Sequence, residues 1–203
     1  MPSFGKSKLS NSPLSPQQAD QTRPASIGLV LSQVRAVLNE YGGVSDEEEE
    51  KAESEILLTY LLGFGTTELF SSLRVPFPAE RRDDLLNALV RRIRHEPMRY
   101  ITGSCPFYGR DFDVDPRVLI PRPETEQLIN QALAWAEETH AEMLRVADIG
   151  TGSGVIAITL AQELTLPEIH AVDISPGALE VASGNAVRLA DPVGVTFHEG
   201  DLA

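Results

Sequence analysis

The chain has 203 residues, of which 42% are hydrophobic and 23% charged, and it carries a formal net charge of −13 at pH 7. No apolar run approaches the roughly 18 residues that a spanning helix needs, and so acidic a balance weighs against non-specific nucleic-acid binding, which relies on clustered Lys and Arg to release counterions. A lone cysteine, Cys105, excludes an internal disulfide and suits a reducing compartment. Its neighbours Ser104 and Pro106 offer no base, so a structural role is expected.

Residues 1–25 are rich in Ser, Pro and Gln and are expected to form a disordered tail. They lack the apolar centre of a secretory signal, and Arg is scarce for an organelle transit peptide. The cytoplasm is the expected location, with a mitochondrion or plastid as the alternative.

From residue 26 the pattern becomes helical. Ile27, Val30, Leu31, Val34, Val37 and Leu38 recur at spacings of three and four, which predicts a helix over 26–41 with Ser26 as N-cap and Gly42-Gly43 as its end. Ser45 is expected to cap a second helix, and the acids 46–50 suit the positive end of its dipole. Its apolar residues are Ile56, Leu57, Tyr60 and Leu61, and Gly63 and Gly65 stop it. A further turn is predicted over 67–73. Leu85, Leu86, Leu89, Val90 and Ile93 then line one face of a third long helix over 79–95, ended by Pro97. Arg81, Arg82, Arg91, Arg92, Arg94 and Arg99 cluster here and are expected to solvate helix faces. Residues 26–97 thus form a small helical domain.

The period then changes. Residues 100–103 and 107–114 are aromatic and β-branched, broken by Gly103 and Gly109, and predict a β-hairpin or two short strands. With the apolar run 118–120 they make a linker over 98–123. Beyond it the chain alternates: helix 125–139, strand 144–149, helix 154–163, strand 169–173, helix 176–189, strand 193–198. Such alternation implies an α/β fold with a parallel sheet and right-handed crossovers, over residues 124–203.

The chemistry is carried by Asp148-Ile149-Gly150-Thr151-Gly152-Ser153-Gly154, which follows the first strand and opens a helix. Glycines allow a tight turn and close approach of backbone to ligand, and amides at a helix start favour an anion. Ligands in open α/β sheets bind at the carboxyl ends of the strands. A dinucleotide site expects G-x-G-x-x-G, but the sixth position from Gly150 is Val155, which counts against a nicotinamide dehydrogenase. The second strand ends in Asp173, where an acid can accept both ribose hydroxyls. The third ends in Glu199-Gly200-Asp201. Any one acid could be a turn residue or helix cap; three at successive strand ends point to a ligand. No histidine spacing suggests a metal.

The G-x-G-x-G loop with Asp148 before it resembles the first motif of class I methyltransferases, and its cofactor is then expected to be S-adenosyl-L-methionine. In that pattern Asp148 faces the methionine ammonium, Asp173 the ribose, and Asp201 or Leu202 the adenine; Gly150, Thr151, Gly152, Ser153 and Gly154 form the loop. Three more strings narrow the likeness: His95-Glu96-Pro97 with Tyr100-Ile101-Thr102-Gly103; Phe107-Tyr108-Gly109; and Leu119-Ile120-Pro121-Arg122-Pro123-Glu124-Thr125-Glu126. From residue 26 onward the chain resembles the peptide chain release factor glutamine methyltransferases, the HemK/PrmC family. That resemblance implies a class I methyltransferase Rossmann-like sheet preceded by a small helical domain, which recognises the release factor, and by a β-hairpin. It also implies that Phe107 and Arg122, Pro123, Glu124 and Thr125 line the cofactor and substrate pocket.

The implied reaction is N5-methylation of the glutamine in a Gly-Gly-Gln loop of a release factor, with no direct nucleic-acid or membrane partner and a monomeric enzyme. The family's Asn-Pro-Pro-Tyr motif, which binds the glutamine amide and aligns it with the methyl group by proximity and orientation, is absent from the 203 residues. The expectation is therefore a fragment without catalysis, whose sheet is incomplete. Two alternatives stand beside this reading: a nucleic-acid amino-methyltransferase, and a non-catalytic release-factor-binding module.

Overall fold

The computed structural model describes residues 24–139, 144–165, 167–189 and 194–201. The tail expectation for residues 1–25 falls almost wholly outside them, as does Leu202. Among the described residues no helix is long and apolar enough to cross a membrane. Contacts divide the chain into two compact units that meet in sequence between Leu89 and Val90.

The first unit begins with α1 (Ile27–Tyr41), whose N-cap Ser26 accepts a hydrogen bond from the Leu29 amide at 3.3 Å. Its stripe of Ile27, Val30, Leu31, Val34 and Leu38 is buried, as the spacing predicts. The amides of Ile27 and Gly28 donate to the carbonyls of Val75 and Leu73, so the segment after the third helix satisfies donors that a helix start leaves open. Helix α2 (Glu47–Leu62) is capped by Asp46, whose carboxylate takes the Glu49 amide at 2.9 Å. The sequence pointed to Ser45. The cap lies one residue on because the Asp46 carboxylate takes the Glu49 amide, while the Glu49 carboxylate reaches past the cap to the Ser45 amide at 2.6 Å and the Ser45 hydroxyl at 2.7 Å. Arg35 ties α1 to α2 through Ser54 and Glu55, both at 3.2 Å. A short helix α3 (Thr66–Ser71) and a 3₁₀ turn (Ala79–Arg81) lead into α4 (Arg82–Ile93).

The second unit takes in the last residues of α4 and then α5 (Met98–Thr102), where a strand was expected. The β-branched residues Ile101 and Thr102 are overruled by the ends. Pro97 precedes the helix, and Gly103, at φ 72°, closes it in the left-handed conformation with its amide on the Arg99 carbonyl. The arginines here are partly engaged: Arg91 pairs with Glu96, and Arg92 is buried. A hairpin does follow, but its strands are shifted from the expected segments 100–103 and 107–114: β1 (Ser104–Phe107) pairs antiparallel with β2 (Arg110–Asp113). Its two-residue turn puts Tyr108 at φ 49° and Gly109 at φ 73°, the positive pair that a type I′ turn requires. Cys105 is buried, and burial pushes its thiol pKa up, consistent with an inert structural thiol.

After α6 (Glu124–Thr139) comes a three-stranded parallel sheet: β3 (Arg145–Ile149), β4 (Glu168–Asp173) and β5 (Val195–Glu199), in the order β3-β4-β5. Helices α7 (Val155–Glu163) and α8 (Pro176–Leu189) connect the strands. Ile169 and Ala171 of β4 are fully buried and pack in one core with Ile129, Ala157, Ile158, Ala186, Phe107 and Phe112. The alternate side chains run across the other face as a polar chain: Arg145 to Glu168 at 2.9 Å, Glu168 to His170 at 3.1 Å, and His170 to His198 at 2.9 Å.

Candidate functional site

The parallel register sets Ile149 beside Val172 and Asp173 beside Glu199, so the three strands end side by side. The loop after β3 is built by what each of its peptide groups bonds to. The amides of Gly150 and Thr151 both donate to the Val172 carbonyl, at 2.8 and 3.0 Å. The Gly152 amide donates to Asp173 Oδ2 at 2.9 Å, and the Gly154 amide returns to the Thr151 carbonyl at 2.8 Å. These amides, which the sequence left as possible anion donors, thus have protein partners that shape the loop.

Asp148 lies beneath it. The side chain is buried, and its Oδ2 accepts from the Thr151 hydroxyl at 2.7 Å and from the Ala157 amide, in the first turn of α7, at 3.1 Å. Burial raises its pKa above the ordinary carboxylate value. The two donated bonds pull the other way, and the charge of Asp173 adds to the rise. Asp173 is half-buried; its second oxygen, Oδ1, takes the Ser175 amide at 2.9 Å. A carboxylate offers about four acceptor positions, so two bonded amides leave Asp173 capacity for further donors.

The glycines divide the work. Gly150, at φ 77°, has nothing within 4 Å of where a Cβ would stand, so the space beside it is open. Gly154 is the opposite case. A Cβ there would come 2.8 Å from Ile158 Cδ1 and 3.2 Å from Ala182 Cβ, so its lack of a side chain lets the loop pack on α8. Thr151 and Ser153 are buried.

The remaining residues singled out by sequence are dispersed. Asp201 is exposed just past β5. Arg122, Pro123, Glu124 and Thr125 form the entry to α6, with the Thr125 amide on the Arg122 carbonyl and the Glu126 amide on that of Pro123, both at 3.0 Å. Phe107 sits in the core at 2% exposure, edge-on to Phe112. Among the described residues no group of three His, Cys, Asp or Glu could hold a metal ion.

Two further residues join these parts: Glu126, the last of the string 119–126, and Asn185, which the sequence did not single out. Glu126 Oε1 accepts the Tyr108 amide at 2.7 Å, and the Tyr108 hydroxyl donates to Asn130 at 2.9 Å, so the hairpin turn is anchored on α6. Asn185 of α8 is fully buried and bonds both Asp113 in β2 and Ser153 in the loop. Its signal was present: residues 178, 181, 182, 185 and 186 fall on one buried stripe of α8, and a polar residue in such a stripe needs partners.

Comparison with known proteins agrees with this architecture. Residues 30–103 match the family model described as PrmC N-terminal domain, and residues 125–190 match that of the ribosomal protein L11 methyltransferase. The chain is 44% identical over 159 residues to the release factor glutamine methyltransferase of Koribacter versatilis, covering 78% of this chain and 55% of that protein. The Bacillus anthracis protein of the same name is 42% identical over 73% of this chain and 52% of its own length. That of Bacillus subtilis is 39% identical over 78% and 55%. The chain spans about half the length of the curated relatives it matches. By its helical region, its motifs and these identities, the chain belongs to the release factor glutamine methyltransferase family.

Proposed function

We propose that this chain supplies the S-adenosylmethionine-binding part of a methyltransferase whose substrate is the glutamine side-chain nitrogen in the Gly-Gly-Gln loop of a peptide chain release factor. The observation that carries the reading is the pairing of the glycine loop with Asp173 at the adjoining strand end, 2.9 Å from the Gly152 amide. The residues fit the cofactor in two respects. Asp173 keeps acceptor capacity for ribose hydroxyls, and Gly150 borders open space.

In this reading Gly150, Thr151, Gly152, Ser153 and Gly154 form the cradle. Asp148 holds the cradle to the start of α7 and supplies negative charge toward the methionine ammonium. Asp201, just past the end of β5, is the described residue for the adenine side. When bound, S-adenosylmethionine supplies an electrophilic methyl group on a sulfonium. The chain's own part is to hold that group and keep its charged ends paired. Arg122, Pro123, Glu124 and Thr125 face the substrate side, with Phe107 supporting the hairpin from the core. The helical region 26–97 recognises the release factor, and the cytoplasm is the setting.

Calorimetry tests the cofactor assignment. The 203-residue chain should bind S-adenosylhomocysteine and not NAD; the reverse preference would overturn the reading. Transfer of labelled methyl, by a protein that joins this chain to an Asn-Pro-Pro-Tyr segment, should go to a release factor and not to DNA or RNA.

A further inference from the structure

We propose that Asn185 is a positioning residue for the cofactor site: it fixes the Ser153–Gly154 peptide of the glycine loop and couples that loop to the hairpin. The proposal rests on the cofactor reading above. Asn185 is 0% exposed. Its Nδ2 donates to the Ser153 carbonyl at 2.9 Å and to the Asp113 carbonyl at 3.0 Å. Its Oδ1 accepts from the Asp113 amide at 2.7 Å and from the Arg188 guanidinium at 3.1 Å. A side-chain amide has two donor hydrogens and two acceptor lone pairs, so every one is used.

The geometry of the loop gives this network its consequence. In a trans peptide the carbonyl and the amide of the next residue point in opposite directions. Asn185 holds the Ser153 carbonyl on one side, and the Gly154 amide meets the Thr151 carbonyl at 2.8 Å on the other. The peptide plane is therefore pinned at both ends. Gly154 bounds it at φ 82°; a glycine can adopt other conformations at little cost, so without Asn185 the plane is free to turn over. A turned plane would reorient the loop next to the Gly152–Asp173 bond. Asn185 thus acts on the cofactor through the loop.

Asn185→Asp keeps the size and the acceptor and removes both donations, leaving a carboxylate oxygen against two carbonyls. We expect the variant to bind S-adenosylhomocysteine about tenfold more weakly or worse, the scale of one buried hydrogen bond lost, with altered amide resonances for Gly152 and Gly154. The core variant Ile129→Val, which lies outside the network, should lower the melting temperature and leave affinity unchanged. A folded Asn185→Asp chain with unchanged affinity overturns the positioning role. If that variant does not fold, the unsubstituted chain decides. The Asn185 side-chain NH2 resonances should shift together with the Gly152 and Gly154 amides as S-adenosylhomocysteine is added, and unmoved resonances overturn the proposal. An unsubstituted chain that binds no S-adenosylhomocysteine removes the cofactor reading and this one together, an outcome distinct from the other two.

Discussion

Asp173 and Gly152 are joined by a hydrogen bond of 2.9 Å from the glycine amide to the carboxylate, which fastens the end of β4 to the loop that follows β3. Both oxygens of Asp173 are oriented by backbone amides, so the side chain is held in place before any ligand arrives. Preorganised acceptors lose little entropy on binding. Asp173→Ala should therefore weaken S-adenosylhomocysteine binding by about ten- to a hundredfold, the range for lost hydrogen bonds to a charged group. Calorimetry on the folded variant measures it; affinity within a factor of two of the parent would remove Asp173 from the site.

Asp148 gives a prediction in pH. Burial raises its pKa in the folded chain above the ordinary 3.8. Between 3.8 and the raised value the folded state binds more protons than the unfolded state, so this group's contribution to stability is greatest below 3.8 and falls as pH rises through the window. Asn at this position does not titrate. The melting temperature of Asp148→Asn, minus that of the parent, should therefore increase from pH 3 to pH 7. A difference that stays flat or decreases over that range would show that burial does not govern Asp148.

The two ends of the glycine loop should respond differently to alanine. At Gly154 the added Cβ meets Ile158 at 2.8 Å and Ala182 at 3.2 Å, at φ 82°. Overpacking and left-handed strain together should cost about 2–4 kcal/mol, read as a lowered midpoint in chemical denaturation. At Gly150 the Cβ enters open space, so Gly150→Ala should cost only the strain, about 1–2 kcal/mol, and should lower cofactor affinity out of proportion to its effect on stability. Equal stability losses at the two positions would contradict this division.

How far the sequence carried this description depends on how local each cause is. The stripe of α1 and the alternation of β3 to β5 were legible because burial imposes its period on neighbouring residues; on α4 three of the five residues read as one apolar face, Leu86, Val90 and Ile93, are exposed, and Ala88 and Arg92 are buried instead. Ser45 and Asp46 differ by one position because the cap is the side chain that accepts the Glu49 amide, and Asp46 does so while the Ser45 hydroxyl donates to the Glu49 carboxylate. Residues 100–102 are β-formers by type, yet Pro97 and Gly103 set a helix between them, and end effects outweighed propensity. Asp148 was legible as a strand-end acid, but that it turns under the loop to the Ala157 amide was not. Asn185 was the least legible: its partners Asp113 and Ser153 lie 72 and 32 residues away, and only the folded chain brings them together.

The hairpin turn offers the last test. Tyr108 occupies φ 49°, a conformation that costs a non-glycine residue about 1 kcal/mol or more. Two contacts hold it there: its amide donates to Glu126 Oε1 at 2.7 Å, and its hydroxyl to Asn130 at 2.9 Å. Glu126→Ala removes the first and leaves a half-buried amide without its acceptor, so stability should fall by about 1–3 kcal/mol. Glu126→Gln retains a neutral acceptor oxygen and should recover about half of that loss, because a hydrogen bond to a charged group is roughly twice as strong as a neutral one. Hydrogen exchange adds a site-specific readout: the Tyr108 amide should exchange faster in Glu126→Ala, while the β3–β4 ladder amides keep their protection relative to global stability. If the Tyr108 amide kept its protection in Glu126→Ala, the turn would be held by Asn130 and the strand pairing alone, and Glu126 would have no part in anchoring the hairpin to α6.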